Sequence, residues 1–286
     1  MGKMKIKIER KSDISLKSFA KINLSLQVLG KLEDNYHQIR TVFSEIDLFD
    51  VLSFTLTKNS GIKVLSNIVS LKQEDNLIYK IAVFIKDNYR VKNGVIIDLK
   101  KNIPIAAGLG GGSSNAAMTI LALSDIFDLN LPDSELHLIA EKFGSDLNFF
   151  LVGGTALGFG RGQKIQKLDF KKIDNILLIN PGFGVSSREA YQNVIESGND
   201  WNNFQNTLDI QFAFNDLEKG VVKLYPEIGE IIDDCKKIGA VNSILSGSGA
   251  TVIGFFNDEI TIKKANEFFK RKGYWVKITK TIRRTS

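Results

Sequence analysis

Apolar and polar residues alternate from Ile14 to Leu29, and the stretch Ser18-Phe-Ala-Lys-Ile-Asn-Leu-Ser-Leu-Gln-Val28 has the period of a half-buried strand. Lys21 and Asn23 share a parity there, which puts them on one face, opposite Ile22, Leu24 and Leu26. A turn at 31–37 leads into a second predicted strand, Ile39 to Phe54. Glu74 to Ile85 then predicts a helix with acidic residues in its first turn. Val95-Ile-Ile-Asp-Leu99 predicts a strand, and Asn115 to Phe127 a helix with Ala117, Ile120, Leu121 and Ser124 on one face. Leu136, Ile139, Ala140 and Phe143 keep helical spacing up to a stop at Gly144. The next apolar run, to Val152, predicts a strand, with Asp146 in the connection before it.

In the second half, 180–184 and 196–200 predict loops, and Val221 to Ile238 a helix broken at Pro226. Asn242 to Phe256 predicts strand, glycine turn and strand; Ile260 to Lys272 a helix; Tyr274 to Thr279 a last strand. Helices segregate from hairpin-like strands, so the expected class is α+β in two lobes, residues 1–165 and 166–286.

Composition narrows the class further. No apolar run reaches the roughly 18 residues of a membrane helix, and Met1 to Lys11 alternates like an edge strand without the apolar core of a signal peptide. A cytoplasmic protein without membrane partners is expected. Cys235 is the only cysteine, and His37 and His137 lie far apart, which argues against disulfides and a structural zinc. The net charge of +6 favours anionic partners. It is spread in pairs such as Lys171-Lys172 and Arg283-Arg284, so no nucleic-acid partner is expected.

The candidate chemistry lies between the third strand and its helix, in Pro104, Ile105, Ala106, Ala107, Gly108, Leu109, Gly110, Gly111, Gly112, Ser113 and Ser114. Glycines at 108 and 110–112 let the backbone take positive φ and approach a ligand. Their N–H groups, with those of Ser113 and Ser114, would converge at a helix N-terminus, where phosphate is favoured. Three consecutive glycines are costly to order, which argues against mere tight packing. No lysine follows Gly112 as in a Walker loop, and the dinucleotide pattern fails at Ser113. The loop therefore predicts a nucleotide cradle of another lineage.

Together with Leu245-Ser-Gly-Ser-Gly-Ala-Thr251, this loop resembles the motifs of the GHMP-type small-molecule kinases, named for galactokinase, homoserine, mevalonate and phosphomevalonate kinases. Phe19 to Leu24, Asn35-Tyr-His37, Gly144 to Phe150, Gly160-Arg-Gly162 and Asn215-Asp-Leu-Glu218 fall in the order of one family within it. That family comprises the kinases acting on 4-diphosphocytidyl-2-C-methyl-D-erythritol in non-mevalonate isoprenoid synthesis. The resemblance implies a ribosomal-protein-like N-terminal lobe and a ferredoxin-like C-terminal lobe. It also implies ATP and Mg²⁺ as cofactors and a cytidyl diphosphate small molecule as substrate. By the same likeness Lys21 and Asp146 form the catalytic pair, while Asn23, Tyr36, His37 and Tyr191 bind substrate, with Tyr36 and Tyr191 flanking the cytosine. Metal ligands stay unassigned, Ser114 being the one hydroxyl considered. Asn35, Ala106-Ala107 and Leu147-Asn148 depart from the family's usual residues. The alternatives are another kinase of the superfamily, for mevalonate, homoserine or a sugar, and a nucleotide-binding regulator without turnover.

Overall fold

The long alternation becomes two strands, β1 (Asp13–Lys31) and β2 (His37–Thr57), paired antiparallel along their whole length. The computed structural model describes residues 13–34, 36–68, 73–195 and 199–284. The expected edge strand at 1–11, Asn35 and loop residues 196–198 lie outside the described residues. The chain continues through β3 (Ile62–Ser66), α1 (Leu77–Asn88), β4 (Gly94–Lys100), α2 (Gly111–Ile126), α3 (Asp133–Phe143), α4 (Leu147–Val152), β5 (Thr155–Gly160) and β6 (Lys164–Lys167). Next come β7 (Ile176–Asn180), α5 (Ser187–Gln192), α6 (Trp201–Thr207), β8 (Phe214–Asn215), α7 (Glu218–Leu224), α8 (Pro226–Ile238), β9 (Asn242–Leu245), β10 (Val252–Phe255), α9 (Glu259–Arg271) and β11 (Trp275–Thr279).

The larger sheet runs β3-β4-β2-β1-β8, and β5 with β6 pairs onto the other half of β2. Its apolar face packs against α1 to α4 around Phe54, Ile97, Ile120 and Phe149. The smaller sheet has the order β11-β7-β10-β9, all antiparallel, with α8 and α9 against it: a ferredoxin-like arrangement. A third apolar cluster, with Ala20, Ile22 and Ile46 from one sheet and Ile176, Leu178 and Ile253 from the other, lies between the sheets. The two-lobe α+β expectation therefore holds, and the lobes share a packed layer.

Several local expectations change. The register slips between Asn23 and Ser25, leaving Leu24 without a ladder partner. Such a bulge shifts the parity of the residues beyond it, so Leu26 lines the same cleft as Lys21 and Asn23 rather than lying opposite them. The run after Asp146 is a helix, α4, not a strand. Six residues, five of them apolar and the sixth a buried asparagine, carry no period that separates the two when every face is buried. Helix α2 begins at Gly111, four residues earlier than expected, with Gly110 in the left-handed region as its N-cap. Helix α6 falls in a stretch for which the sequence pattern predicted no element; Asp200 caps it, and Trp201 and Phe204 bury one side.

Candidate active site

A cleft of about 1320 Å³ opens between the loop before α2, the β1–β2 turn and the C-terminal glycine turn. Burial of Lys21 at its floor results from its place on a central strand. The side chain is 6% exposed, and its Nζ lies 3.6 Å from Asp146 Oδ2. It donates to Asn23 Oδ1 at 2.8 Å, while Asn23 Nδ2 donates to Thr41 Oγ1 at 2.8 Å. Both ends of the Asn23 amide are thus used in holding the lysine. Desolvation pushes Lys21 below the ordinary lysine range, and the charge of Asp146 opposes that shift. Asp146, at the start of α4, is more open to the cleft than its partner.

Two glycine-rich segments meet above this pair. Gly108 has φ of +73°, and a Cβ there would stand 2.0 Å from the Ser246 carbonyl oxygen. Ser246 Oγ donates to Gly108 O at 3.1 Å, and Thr251 N to Ala107 O at 3.3 Å. The Lys21 amide donates to Leu109 O at 3.0 Å, fastening the loop to β1 as well. The turn is held from behind by Asn215, whose Nδ2 donates to Leu245 O at 2.8 Å and Gly247 O at 2.7 Å. Glu218 Oε2 accepts from Leu245 N at 2.8 Å. The motif Asn215 to Glu218 thus has a structural task that its sequence did not reveal.

Of the loop residues, 104–108, 110–112 and Ser113 line the cleft, whereas Leu109 and Ser114 do not. Leu109 is 1% exposed and joins the apolar layer between the sheets. The Ser114 amide donates to Gly110 O within α2, and its hydroxyl accepts from Ser18 Oγ at 2.7 Å. The early helix start thus uses the Ser114 N–H, and its buried hydroxyl faces Ser18 rather than the cleft. Positive φ is confined to Gly108, Gly110 and Ala106 in this loop, so Gly111 and Gly112 are helical rather than left-handed. A Cβ on Gly111 would crowd Lys101 Nζ at 2.7 Å, and one on Gly112 would meet nothing within 4 Å.

Lys101 and Asp50 are further polar residues at the base of the loop. Lys101 Nζ donates to Asp50 Oδ2 at 2.5 Å, and Asp50 Oδ1 accepts from the amides of Asn102 and Ile103 at 2.7 and 2.8 Å. Asp50, flanked by Phe49 and Val51 in the apolar run of β2, was the signal available for this network. Among the described residues no cluster of three or more His, Cys, Asp or Glu could hold a metal ion.

At the other end of the cleft stand Tyr36, His37 and Tyr191. His37 and Tyr191 stack with centroids 5.3 Å apart and an interplanar angle of 22°. Tyr191 therefore pairs with His37, not across an open slot with Tyr36. Tyr36 is 57% exposed, with the Arg161 guanidinium 4.5 Å from its ring centre. Arg161 also pairs with Asp34, which closes the β5–β6 turn onto the β1–β2 turn. Desolvation, and secondarily Lys31, hold His37 below the usual histidine value, which favours the neutral imidazole. Burial, with Asp146 adding to it, raises the Tyr191 phenol. Among the departures, Asn148 Oδ1 accepts from His137 Nδ1 (2.9 Å) and its Nδ2 donates to Gln163 O (3.0 Å), joining α3 to the turn beside Asp146.

The protein named 4-diphosphocytidyl-2-C-methyl-D-erythritol kinase in Thermodesulfovibrio yellowstonii is 37% identical over 284 residues, covering 94% of this chain and 98% of its own. The chain belongs to the 4-diphosphocytidyl-2-C-methyl-D-erythritol kinase family. The kinase of that name from Thermoanaerobacter pseudethanolicus is 39% identical, covering 94% of this chain and 96% of its own. Residues 76–154 match the GHMP kinases N terminal domain and 190–274 the GHMP kinases C terminal domain. A crystal structure of 4-(cytidine 5'-diphospho)-2C-methyl-D-erythritol kinase superposes with a TM-score of 0.81 at 28% identity, over 94% of this chain and all of that one. The Methanococcus jannaschii mevalonate kinase, 16% identical with a TM-score of 0.70 over 96% of this chain and all of its own, shares the fold. Membership of this kinase family makes the chain a phosphotransferase that draws on ATP and acts on a small molecule.

Ala106, one of the departures, sits at φ +51°. A non-glycine residue pays roughly 1–2 kcal/mol in the left-handed region, offset by the greater chain entropy of glycine when unfolded. Ala106→Gly is expected to raise stability by up to about 1 kcal/mol, read as a higher urea midpoint at unchanged slope.

Proposed function

We propose that this chain transfers the γ-phosphoryl group of ATP to the 2-hydroxyl of 4-diphosphocytidyl-2-C-methyl-D-erythritol. The observation that carries the reading is the single cleft that joins three parts: the phosphate loop, the Lys21–Asp146 pair and the Tyr36–His37–Tyr191 cluster. A nucleotide at α2 and a cytidyl group at the aromatic end would bring phosphoryl donor and acceptor alcohol together over the pair.

Phosphoryl transfer has a loose transition state, so the protein chiefly positions groups and offsets charge. The acceptor oxygen bonds to the γ-phosphorus as the bond to the β-phosphate oxygen breaks, and ADP leaves. The alcohol proton passes to an Asp146 carboxylate oxygen late, since a carboxylate is a weak base for an alcohol. Lys21 steadies the developing charge on the acceptor and holds Asp146 in place, and Asn23 fixes the lysine. The amides at the start of α2 cradle phosphate. Mg²⁺ enters as part of the nucleotide substrate, on its phosphates. A cleft in which Asp146 is the carboxylate beside Lys21 suits an ion carried in this way. Tyr36 supplies a face for the base, and neutral His37 can both donate and accept at its polar edge. We place the division between lobes near residue 165, in β6, after which the chain enters the smaller sheet at β7 and returns to the larger one only through the short β8. The proposed setting is the cytoplasm; among the described residues no helix is long and apolar enough to cross a membrane.

The reading is tested by ADP release with the cytidyl compound, mevalonate, homoserine and galactose. Turnover with the first alone is expected, turnover with another alone would reassign the substrate, and ATP binding without turnover on any would favour a regulator. Gly112→Ala is expected to fold as well as the parent, because its methyl meets no protein atom. It should lose ATP affinity about tenfold or more in calorimetric titration, as a charge-assisted hydrogen bond of about 1.5–3 kcal/mol is displaced. Tyr36→Ala should raise KM for the acceptor by the equivalent of about 1–3 kcal/mol, the usual stacking loss, and leave KM for ATP unchanged.

Asp146→Asn should lower kcat about 10²- to 10⁴-fold with ATP affinity kept, and Lys21→Met should lower it too. If the two act as a unit, the double variant is little worse than the poorer single one. Because burial depresses Lys21, kcat should fall on the alkaline side at a pH below the ordinary lysine value of 10.5, as the ammonium loses its proton. Lys21→Arg should abolish that limb of the pH profile.

A further inference from the structure

The segment after β11 leaves the smaller sheet and docks on the larger one. Asp47 N donates to Lys280 O at 2.9 Å, Thr281 bridges to Ile46, and Ile282 N donates to Glu45 O at 3.1 Å. Thr281 Oγ1 accepts from Ile173 N at 2.8 Å, which pins the crossing. This carries Arg284 into a socket beneath α4. Its Nη1 donates to Phe150 O at 2.5 Å and lies 3.8 Å from Glu45 Oε1, and Nη2 is 3.5 Å from the Met118 sulfur. The socket is built closely: a Cβ on Gly153 would stand 2.3 Å from Arg284 Cδ and 2.8 Å from Glu45 Oε2.

Glu45 is 1% exposed, and its Oε2 accepts from Gly154 N at 2.7 Å. Burial pushes its carboxyl up, and Arg284 counters that. Glu45 is also paired directly with Lys21 across the β1–β2 ladder, so both side chains leave the same face of the sheet. Lys21 therefore has two carboxylates on its side, Asp146 in the cleft and Glu45 behind it. Only the one facing the cleft can serve an acceptor hydroxyl. Arg284 answers the charge of the other and at the same time grips the last turn of α4, whose first residue follows Asp146.

We propose that Arg284 is a positioning residue for phosphoryl transfer: by engaging Glu45 and the Phe150 carbonyl it leaves Lys21 to Asp146 and fixes α4 beneath the acceptor. The inference rests on the proposed kinase activity. Without the guanidinium, the buried Glu45 carboxylate is left uncompensated directly across the ladder from Lys21, while α4 loses its anchor.

The test is steady-state kinetics on the full chain with ATP and the cytidyl acceptor, with thermal unfolding of each variant alongside. Arg284→Met is expected to lower kcat about tenfold or more, with KM for ATP changed less than about twofold. The double variant Glu45→Gln/Arg284→Met should recover much of the lost kcat, because no stranded carboxylate then competes for Lys21. A purely structural arginine would lower Tm alone, and its loss would not be rescued by Glu45→Gln. An Arg284→Met kcat equal to the parent's, or a double variant no faster than Arg284→Met, overturns the proposal. Should Arg284→Met not fold, Arg284→Lys, too short to reach both partners, is judged on kcat by the same criterion. A parent chain inactive on the acceptor sinks the kinase reading itself, whereas an active parent with an indifferent Arg284 sinks this inference alone.

Discussion

The approach of Gly108 to the Ser246 carbonyl is the constraint on which the cleft depends. At that point two segments from opposite halves of the chain run backbone to backbone, close enough that no Cβ fits between them. The same few residues fasten to β1 through Leu109 and to the C-terminal turn through Ala107 and Gly108. The loop that presents α2 to the cleft is therefore held from both sides, and its amides need no reorganisation to meet an anion. Preorganisation of this sort is the main resource available to an enzyme of phosphoryl transfer, where little covalent chemistry falls to the protein. The turn at 245–251 is stiffened in its own right by Asn215 and Glu218, so the seam has a rigid surface on each side.

Beneath the seam the governing effect is electrostatic. An ammonium on a central strand is costly to bury, and Lys21 is kept there by one carboxylate, one amide oxygen and the face of Phe43 at 5.4 Å. The cost is tolerable only because the charge has partners, and those partners fix where the charge points. The Asp50–Lys101 pair at the base of the loop obeys the same rule, with Asp50 fully buried and answered by two amides, an ammonium and the Asn115 amide. Glu45 with Arg284 is the third instance. Each buried carboxylate of β2 thus ties a different piece of chain to the strand that faces Lys21.

Much of this architecture is legible in the residues alone. Alternation revealed β1 and β2, helical spacing revealed α3, α8 and α9, and three glycines before an apolar helix revealed the loop that opens α2 onto the cleft. Lys21 and Asn23 could be placed on one face by parity alone. What escaped was whatever depends on a partner distant in sequence. The parity argument failed at Leu26, because one bulged residue is invisible in a pattern of apolar positions. The α4 helix looked like a strand because burial on every side erases its period. The early start of α2, which takes Ser114 out of the cleft, depends on left-handed geometry at Gly110, a choice that glycine permits but does not announce. No local pattern could pair Arg284 with Glu45, or His37 with Tyr191, since each contact exists only once the sheets have packed.

The seam between the two glycine segments is what fixes the loop before α2 against the C-terminal turn, and on the proposed reading that geometry is the one that binds ATP. Gly108→Ala tests this most directly, since the added methyl points at Ser246 and not at the ligand. ATP affinity by calorimetry, measured on a variant whose circular dichroism shows a folded chain, is the quantity to read. Binding and turnover should both be lost while secondary structure is retained. Unchanged ATP affinity in the folded variant would contradict the role given to the seam.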